Sequence, residues 1–215
     1  NNPKREIKKI KDVLDRLTGV EKGSRDHLSK YRKNYRYAKI EQGSNLSNYV
    51  TGGENDQEIL ARLKAIAAAE EPLSDKFLMK RCLASLGIQK YGGKVEERME
   101  NLIKLCDLKG EDLCGRRYLR KSDKCLDCDF YRVEPAEPVR KSEEDFTPYE
   151  MIALIKGLLE NRVSLYGDEL VPLVCAELKI ARPSDKLTEF IGECVSLGVE
   201  KNLFVRSISD RISLC

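Results

Sequence analysis

Histidine is nearly absent from this chain of 215 residues, which contains only His27. One histidine has no second histidine with which to build an acid–base pair or a metal site, and no acidic partner stands at ligand spacing from it. The sequence also lacks a glycine-rich phosphate loop and a Ser/His/Asp set. We therefore predict that the chain is not an enzyme and uses no catalytic cofactor.

Long apolar runs are absent as well. No stretch is long enough to span a bilayer, and none has the apolar core of a signal peptide. The chain has eight cysteines without a secretory signal, which predicts a cytoplasmic protein with reduced thiols and no membrane partner. The first residue is Asn1 rather than Met, so we expect a piece of a longer protein.

A large excess of one charge is also missing, because the formal net charge is only +3. Its distribution is uneven: the net charge is +7 over residues 1–53, 0 over residues 54–140 and −4 over residues 141–215. In the first of these segments, Tyr31, Tyr35 and Tyr37 alternate with Lys and Arg. This pattern is found in nucleic-acid-binding proteins, where Tyr stacks on bases, and also in linkers that pack tyrosines on a neighbouring domain.

What the sequence does contain is an internal repeat. Residues 58–109 align without a gap on residues 150–201, at an offset of 92, and 12 of the 52 pairs are identical. Helical periodicity alone makes segments look alike, but it would not keep the loop lengths equal. We infer one packing unit used twice. The predicted organisation is an N-terminal arm (residues 1–53, helix and linker), repeat 1 (residues 54–133), a linker (residues 134–146) and repeat 2 (residues 147–215).

Capping signals divide each repeat into three short helices. Asn55 with Glu58, Ser74, and Thr147 with Glu150 after Pro148 mark helix starts. The expected helices cover residues 56–70, 75–86 and 94–106, then 148–160, 167–178 and 184–197. Segments of β character follow at residues 118–133 and 203–208. This order predicts a mainly α, α+β chain with tandem winged-helix-like units, small β-hairpin wings and an N-terminal amphipathic helix over residues 3–17.

In a winged helix the third helix enters the major groove and the hairpin contacts the backbone. Basic and aromatic residues cluster at these two places in repeat 1, whereas the second copy has fewer, such as Arg182 and Lys186. The candidate contacts with double-stranded DNA are Lys90, Tyr91, Lys94, Arg98, Arg116, Arg117, Arg120, Lys121 and Lys124. The alternative is a solvated basic loop.

Four cysteines of repeat 1 form the remaining candidate site. Cys106, Cys114, Cys125 and Cys128 have the spacing C-x7-C-x10-C-x2-C, and the last two can form one zinc knuckle. A four-thiolate site usually pairs two such knuckles, and Cys106 also suits the apolar face of its helix. Zinc and core packing are therefore both open.

Two runs carry a resemblance to a known family: EILARLKAIAAAEEPLSDKFLMKRCLASLGIQKYGGKVEERMENLIKL and DFTPYEMIALIKGLLENRVSLYGDELVPLVCAELKIAR. They resemble the uncharacterised C-terminal domain of large bacterial superfamily 1 helicase-like proteins, a region that follows a nuclease domain of the very-short-patch-repair type. The run NPKREIKKIKDVLDRL resembles the last helix of that nuclease domain. The family's second unit usually has a basic, glycine-containing turn where this chain has ARPSDK, so repeat 1 is the better candidate for DNA contact.

The resemblance implies a bacterial protein that acts on DNA, with ATPase and nuclease chemistry in helicase and nuclease domains upstream in the same chain. It supplies no catalytic residues for this region. We expect a non-catalytic accessory region that grips duplex DNA through repeat 1 and the basic arm. The alternative function is a protein–protein interaction module that docks on the parent motor domain or on another partner.

Overall fold

The computed structural model describes residues 27–41, 50, 52, 54–121, 129–134, 140–160 and 162–215. The helix predicted over residues 3–17 lies outside these ranges. So does most of the segment GSNLSNYVTGG at residues 43–53, which is rich in Gly, Ser and Asn and belongs to the predicted linker of the arm. Within the described ranges, Val50 is completely buried. At least one residue of that predicted linker therefore packs into a core.

The described chain is a mixture of helices and strands, which fits the α+β class. Its strands and helices, in chain order, are β1 (Arg32–Asn34), α1 (Asp56–Glu70), β2 (Leu73–Ser74), α2 (Asp75–Ser85), α3 (Gly93–Lys104), β3 (Lys109–Leu113), β4 (Arg116–Arg120), β5 (Tyr131–Val133), α4 (Pro148–Leu159), β6 (Leu165–Tyr166), α5 (Gly167–Glu177), α6 (Asp185–Glu200), β7 (Phe204–Arg206) and β8 (Arg211–Leu214). No described helix is long and apolar enough to cross a membrane.

Two of the three predicted caps, Ser74 and Thr147, form hydrogen bonds at the start of their helices. Ser74 accepts a hydrogen bond from the Phe77 amide at 2.9 Å, and α2 begins at the next residue. Thr147 and Glu150 form the predicted reciprocal capping box at the start of α4, with Pro148 in the first turn. Asn55 is the exception, because its side chain forms no cap on α1.

The two repeats have the same order of elements, and the spacing of 92 residues recurs in the structure. The first and last residues of β6 lie 92 positions after those of β2, and the same holds for α5 and α2. The first residue of α6 also lies 92 positions after that of α3. Each repeat builds a three-stranded sheet in which the strand before the second helix pairs with the last strand of the hairpin, in the orders β2-β4-β3 and β6-β8-β7. Gly87 and Lys179, one offset apart, both have a left-handed backbone, with φ of 76° and 57°.

The strands differ from the prediction in two respects. In repeat 1 the hairpin is formed by β3 and β4, so it begins at residue 109 rather than 118, and β5 does not belong to it. Strand β5 pairs in parallel with β1 of the N-terminal arm, in the register Arg32↔Tyr131. In repeat 2 the hairpin extends beyond the predicted segment to Leu214.

Each repeat has its own apolar core, and the arm contributes to both. Leu28 and Tyr31 pack into the core of repeat 2, whereas Tyr35 and Val50 pack into that of repeat 1. Gly157 of α4 allows the first contact, since a Cβ there would lie 2.8 Å from Leu28 Cδ2 and 2.9 Å from Tyr31 Cδ2. The described part of the arm therefore contributes side chains to both cores.

A buried network of charges lies where the arm, repeat 1 and repeat 2 meet. The Arg140 guanidinium and the Arg132 guanidinium both bind the Glu150 carboxylate, each with a shortest N–O distance of 2.8–2.9 Å. Burial alone would raise the pKa of Glu150, but the two arginine charges outweigh it and lower the pKa to about 2. Four residues of the predicted linker take part in this interior: Arg140, Glu143, Asp145 and Phe146 are buried.

Candidate nucleic-acid interface

The start of α3 is an open, basic helix terminus. Lys90, Tyr91 and Lys94 are exposed, and Tyr91 retains 40% of its accessible surface. Gly92 precedes the helix and offers no side-chain cap to its first amides. Nothing lies within 4 Å of a Cβ built on Gly92 or Gly93, so a ligand can approach the backbone closely. Two lysines beside uncapped amides favour an anion at this point.

The rest of α3 is electrically balanced. Lys76 of α2 binds Glu96 at 2.5 Å and Glu100 at 3.0 Å. The hydrogen bonds to Glu96 and then Glu100 raise the pKa of Lys76, although burial opposes them. Glu96 lies in the first turn of α3, but it and Glu100 pair with Lys76, so the positive charge at this end of the helix comes from Lys90 and Lys94.

Arg98 serves the packing of repeat 1. Its guanidinium forms an ion pair with Asp56 at the start of α1, and both side chains are about one-third exposed. Asp56 Oδ1 and Arg98 Nε are buried without a hydrogen-bond partner among the described residues. The sequence places Arg98 beside Lys94 because they are one helical turn apart, but Asp56 approaches it from another helix.

Arg116 joins the hairpin of repeat 1 to repeat 2. Its Nη1 lies 2.7 Å from Glu193 Oε2 of α6, and its guanidinium carbon lies 4.9 Å from the centre of the Phe190 ring. Tyr149 of α4 donates a second hydrogen bond across this contact, to Glu111 of β3 at 2.8 Å. Phe190 occupies the position that corresponds to Arg98 at the offset of 92. At this position repeat 2 therefore has an aromatic ring instead of a charged side chain, and Arg116 packs against that ring.

The other predicted hairpin residues differ in environment. Arg117 is exposed, and its side chain lies over Gly110, where a Cβ would come within 2.7 Å of Arg117 Nε. Arg120 lies 4.0 Å from Glu111. Lys121 is exposed at its side chain, while its amide donates to Glu71 at 2.5 Å. Lys124 lies outside the described residues.

An open cavity of about 360 Å³ separates α3 from this hairpin. Its lining mixes acidic, basic and apolar side chains: Asp75, Glu100, Ile103, Lys104, Leu108, Arg117 and Leu119. Arg117 therefore faces carboxylates as well as solvent, and it contributes less positive potential than an isolated arginine would.

Tyr31 and Tyr35 of the arm pack internally, as in the second of the two interpretations of that segment. The Tyr35 hydroxyl donates to Glu70 at 2.9 Å, and its ring lies against the guanidinium groups of Arg132 and Arg140 at 4.8 and 4.6 Å. Tyr31 donates to Glu160 at 2.5 Å. With both rings buried, their faces are not available for stacking on bases.

Three basic side chains in the described part of the arm also have partners within the protein. Arg32 binds Glu177 at 2.5 Å, and Lys30 binds Glu160 at 2.6 Å. Lys33 lies 3.5 Å above the Phe130 ring. Arg36 and Lys39 remain exposed.

The helix terminus that has no side-chain cap in repeat 1 is capped in repeat 2. Ser184 corresponds to Gly92, and its hydroxyl accepts a hydrogen bond from the Leu187 amide at 3.1 Å, which caps α6. Arg182 and Lys186 are exposed, but Asp185 stands between them. A capped helix with an acidic first residue is a poorer anion site than the start of α3.

The two predicted zinc ligands that the structure describes, Cys106 and Cys114, belong to different apolar cores. Cys106 is buried in the core of repeat 1 and donates its thiol hydrogen to the Leu102 carbonyl at 3.4 Å, whereas Cys114 packs against the core of repeat 2. Burial raises the pKa of Cys106, which disfavours the thiolate that a metal requires. Cys125 and Cys128 lie outside the described residues, and within those residues no group of three or more His, Cys, Asp or Glu side chains could hold a metal ion.

Comparisons with protein-family models, with characterised proteins and with solved structures find no match to this chain.

Proposed function

We propose that this chain is a non-catalytic accessory region that binds double-stranded DNA, with repeat 1 making the contact through the start of α3. The observation that carries this proposal is the uncapped helix terminus flanked by the exposed Lys90, Tyr91 and Lys94. Backbone amides at such a terminus bind phosphate oxygens, and the lysines add charge that attracts them.

The order of elements supports this assignment of surfaces. Each repeat has a helix, a short strand, two helices and a β-hairpin, with the short strand paired to the hairpin. That is the order of a winged helix, in which the N-terminal residues of the third helix meet DNA. In this arrangement α3 is the reading helix of repeat 1, and Gly92 and Gly93 allow its backbone to approach the sugar–phosphate chain.

The structure changes the expected contribution of each basic residue. Arg98 and Arg116 are held in internal ion pairs, so we assign them to packing rather than to DNA. Arg117 and Lys121 are exposed and can add secondary phosphate contacts. The resulting footprint is small and mainly electrostatic. We therefore expect binding that weakens with salt in proportion to the few phosphates contacted and that depends little on sequence.

Fluorescence anisotropy with a labelled DNA duplex at several salt concentrations tests this proposal. Replacement of both Lys90 and Lys94 by Ala should weaken binding and reduce the slope of log K against log salt by about 0.9 for each phosphate that the lysines no longer neutralise. The matched control is Arg182→Ala with Lys186→Ala, which removes the corresponding charges from repeat 2 and should leave the slope unchanged.

Two results would contradict the proposal. One is the absence of binding at low salt. The other is an equal loss of affinity in the repeat 1 and repeat 2 double variants, because that would indicate a nonspecific effect of net charge.

The parent protein is part of the same proposal. The resemblance of both repeats to the C-terminal region of helicase-like proteins suggests a bacterial, cytoplasmic parent in which upstream helicase and nuclease domains carry the catalysis. In that setting the repeats would help hold the duplex. The sequence of the complete parent tests this directly, since it must contain motor motifs.

A protein-interaction module is the second candidate, and the hairpin of repeat 2 favours it. Val205 is half exposed on β7, and Ile208 is fully exposed at the turn between β7 and β8. Exposed apolar side chains of this kind can mark a docking surface. If the region docks on its parent's motor domain, Val205→Ser with Ile208→Ser should weaken that association in calorimetry without changing the salt slope for DNA.

A further inference from the structure

Two cysteines from different repeats meet where the hairpin of repeat 1 packs on α6. Cys114 lies in the turn between β3 and β4, and Cys194 lies on α6. Cys114 packs against the apolar core that includes Cys194, and Arg116, two residues after Cys114, binds Glu193, the neighbour of Cys194, at 2.7 Å. Both cysteines are unbridged. Residues far apart in the sequence thus bring two sulfur atoms together.

The surroundings give the two sulfurs different properties. The hydrogen bond from Cys194 lowers the pKa of Cys114, and the nearby Arg116 charge acts in the same direction, while burial, Glu193 and Glu200 oppose them. Burial raises the pKa of Cys194 well above its usual value. Cys114 is partly exposed, whereas Cys194 is buried. Cys114 is therefore the more nucleophilic and accessible sulfur, and Cys194 is the protonated partner.

A third group completes this arrangement. The Tyr118 side chain of β4 is buried, and its hydroxyl has no hydrogen-bond partner among the described residues. Tyr118 and Arg116 are two residues apart on β4, so their side chains lie on the same face of the strand, and Arg116 contacts Glu193 of α6 from that face. Burial raises the pKa of Tyr118, and Cys194 and Cys114 also raise it. A buried donor without an acceptor costs free energy in the reduced protein, and it can bind an oxygen atom added to the adjacent sulfur.

The turn itself requires an unusual backbone for cysteine. Cys114 has a φ of 49° and Gly115 a φ of 65°, as in the two-residue hairpin turns that prefer Asn-Gly. A cysteine tolerates the left-handed region less well than asparagine or glycine does. Its side chain packs against the core of repeat 2 from this position.

We propose that Cys114, Cys194 and Tyr118 form a peroxide-sensitive thiol site that cross-links repeat 1 to repeat 2. The Cys114 thiolate attacks one oxygen of a hydroperoxide, the O–O bond breaks, and Cys114 becomes a sulfenic acid. The other oxygen leaves as hydroxide or alkoxide and takes up the proton that the Cys114 thiol released to solvent, which gives water or an alcohol. Tyr118 donates a hydrogen bond to the sulfenic oxygen. Cys194 then attacks the Cys114 sulfur, the S–O bond breaks, and the hydroxide leaves as water with the Cys194 proton. The net change is the oxidation of two thiols to one disulfide and the reduction of one peroxide.

The disulfide would hold the hairpin of repeat 1 on α6. It closes a long loop of the chain, which restricts the unfolded state and raises Tm by roughly 5 °C or more. Arg116 and Glu193 already hold the same two surfaces together. The site does not depend on DNA binding.

Titration of the reduced protein with hydrogen peroxide, followed by peptide mapping without reduction, tests the proposal. We expect a linked peptide that contains Cys114 and Cys194, formed before oxidation of the exposed Cys215. In Cys194→Ala, dimedone should trap a sulfenic acid on Cys114. Tyr118→Phe should slow formation of the disulfide by roughly 3- to 10-fold, the effect of one hydrogen bond.

Cys215→Ser is the matched control and should leave the linked peptide and the rise in Tm unchanged. A map in which Cys215 reacts first, or in which Cys114 links to Cys125 or Cys128 instead of Cys194, would overturn the proposal. The wild-type map decides this by itself if the Cys194 variant fails to fold.

Discussion

Arg140 and Glu150 form an ion pair of 2.9 Å in the interior of the molecule, with no exposed surface on the arginine side chain and 5% on the glutamate. Arg140 also donates from Nε to the Asp145 carbonyl at 2.7 Å. Its guanidinium lies 4.4 Å from the Phe146 ring. Such a pair costs desolvation energy to bury, so its main effect is to fix which groups face each other. Removing one partner leaves the other charged and poorly compensated.

Arg140→Met should therefore lower the free energy of unfolding by about 3–5 kcal/mol, measured by urea denaturation. The neighbouring Lys141 is exposed. Lys141→Met is the control and should change stability by less than about 0.5 kcal/mol. A loss below about 1 kcal/mol for Arg140→Met would mean that Arg132 alone compensates Glu150.

Acid should destabilise the protein through Glu150. Its pKa is about 2 in the folded protein, below the usual 4.5, because the arginine charges outweigh the effect of burial. A lowered folded pKa contributes stability above the unfolded pKa, and that contribution is lost as the pH falls from about 4.5 to about 2. The loss attributable to this group is about 3 kcal/mol. Glu150→Gln should be less stable at pH 7 and should show a shallower fall in acid; equal slopes would contradict the assignment.

Two glycines of α6 should respond in opposite directions to the same substitution. A Cβ on Gly198 would collide with the Phe204 ring in the core of repeat 2, while nothing lies within 4 Å of a Cβ on Gly192. Thermal unfolding should show that Gly198→Ala destabilises the protein by about 1–3 kcal/mol through overpacking. Gly192→Ala should stabilise it by about 0.5–1 kcal/mol, because alanine favours the helix. Similar effects at both positions would rule out the packing argument.

Removal of one hydroxyl should weaken the attachment of the arm. Tyr35→Phe deletes the bond to the buried Glu70, which keeps hydrogen bonds from Arg81 and from the Ala38 amide. We expect a loss of about 1.5 kcal/mol in urea unfolding. Tyr91→Phe removes an exposed hydroxyl and should leave stability unchanged within about 0.5 kcal/mol. An effect at Tyr91 as large as at Tyr35 would argue against a specific role for the bond to Glu70.

The helices are predictable because their signals are local. Ser74 and Thr147 cap helices at the predicted positions, and the apolar spacing that predicts α2 and α5 reflects residues that are buried. Cys82, Cys175 and Cys194 lie on helices and are buried in the apolar cores. The two-residue strands β2 and β6 are not predicted, because so short a segment has no periodicity to detect.

The environments of the candidate site residues are not predictable, because their partners are distant in the sequence. Arg98 and Arg116 look like surface cations until Asp56 and Glu193 approach them in the folded chain. The lack of a side-chain cap at the start of α3 can be predicted from the sequence. Gly92 has no side chain to cap the helix, whereas Ser184 at the corresponding position of repeat 2 has one. The parallel pairing of β5 joins segments on opposite sides of repeat 1, which no local pattern specifies.

That pairing has a practical consequence for dissecting the chain. A subcloned fragment starting at residue 54 would keep both sets of helices but would leave Tyr131–Val133 without a neighbouring strand and open the places occupied by Leu28, Tyr31 and Tyr35. Limited proteolysis within residues 27–41 should be slow for the same reason. The repeats can be delimited in the sequence, but a soluble fragment that contains them should begin upstream of Leu28.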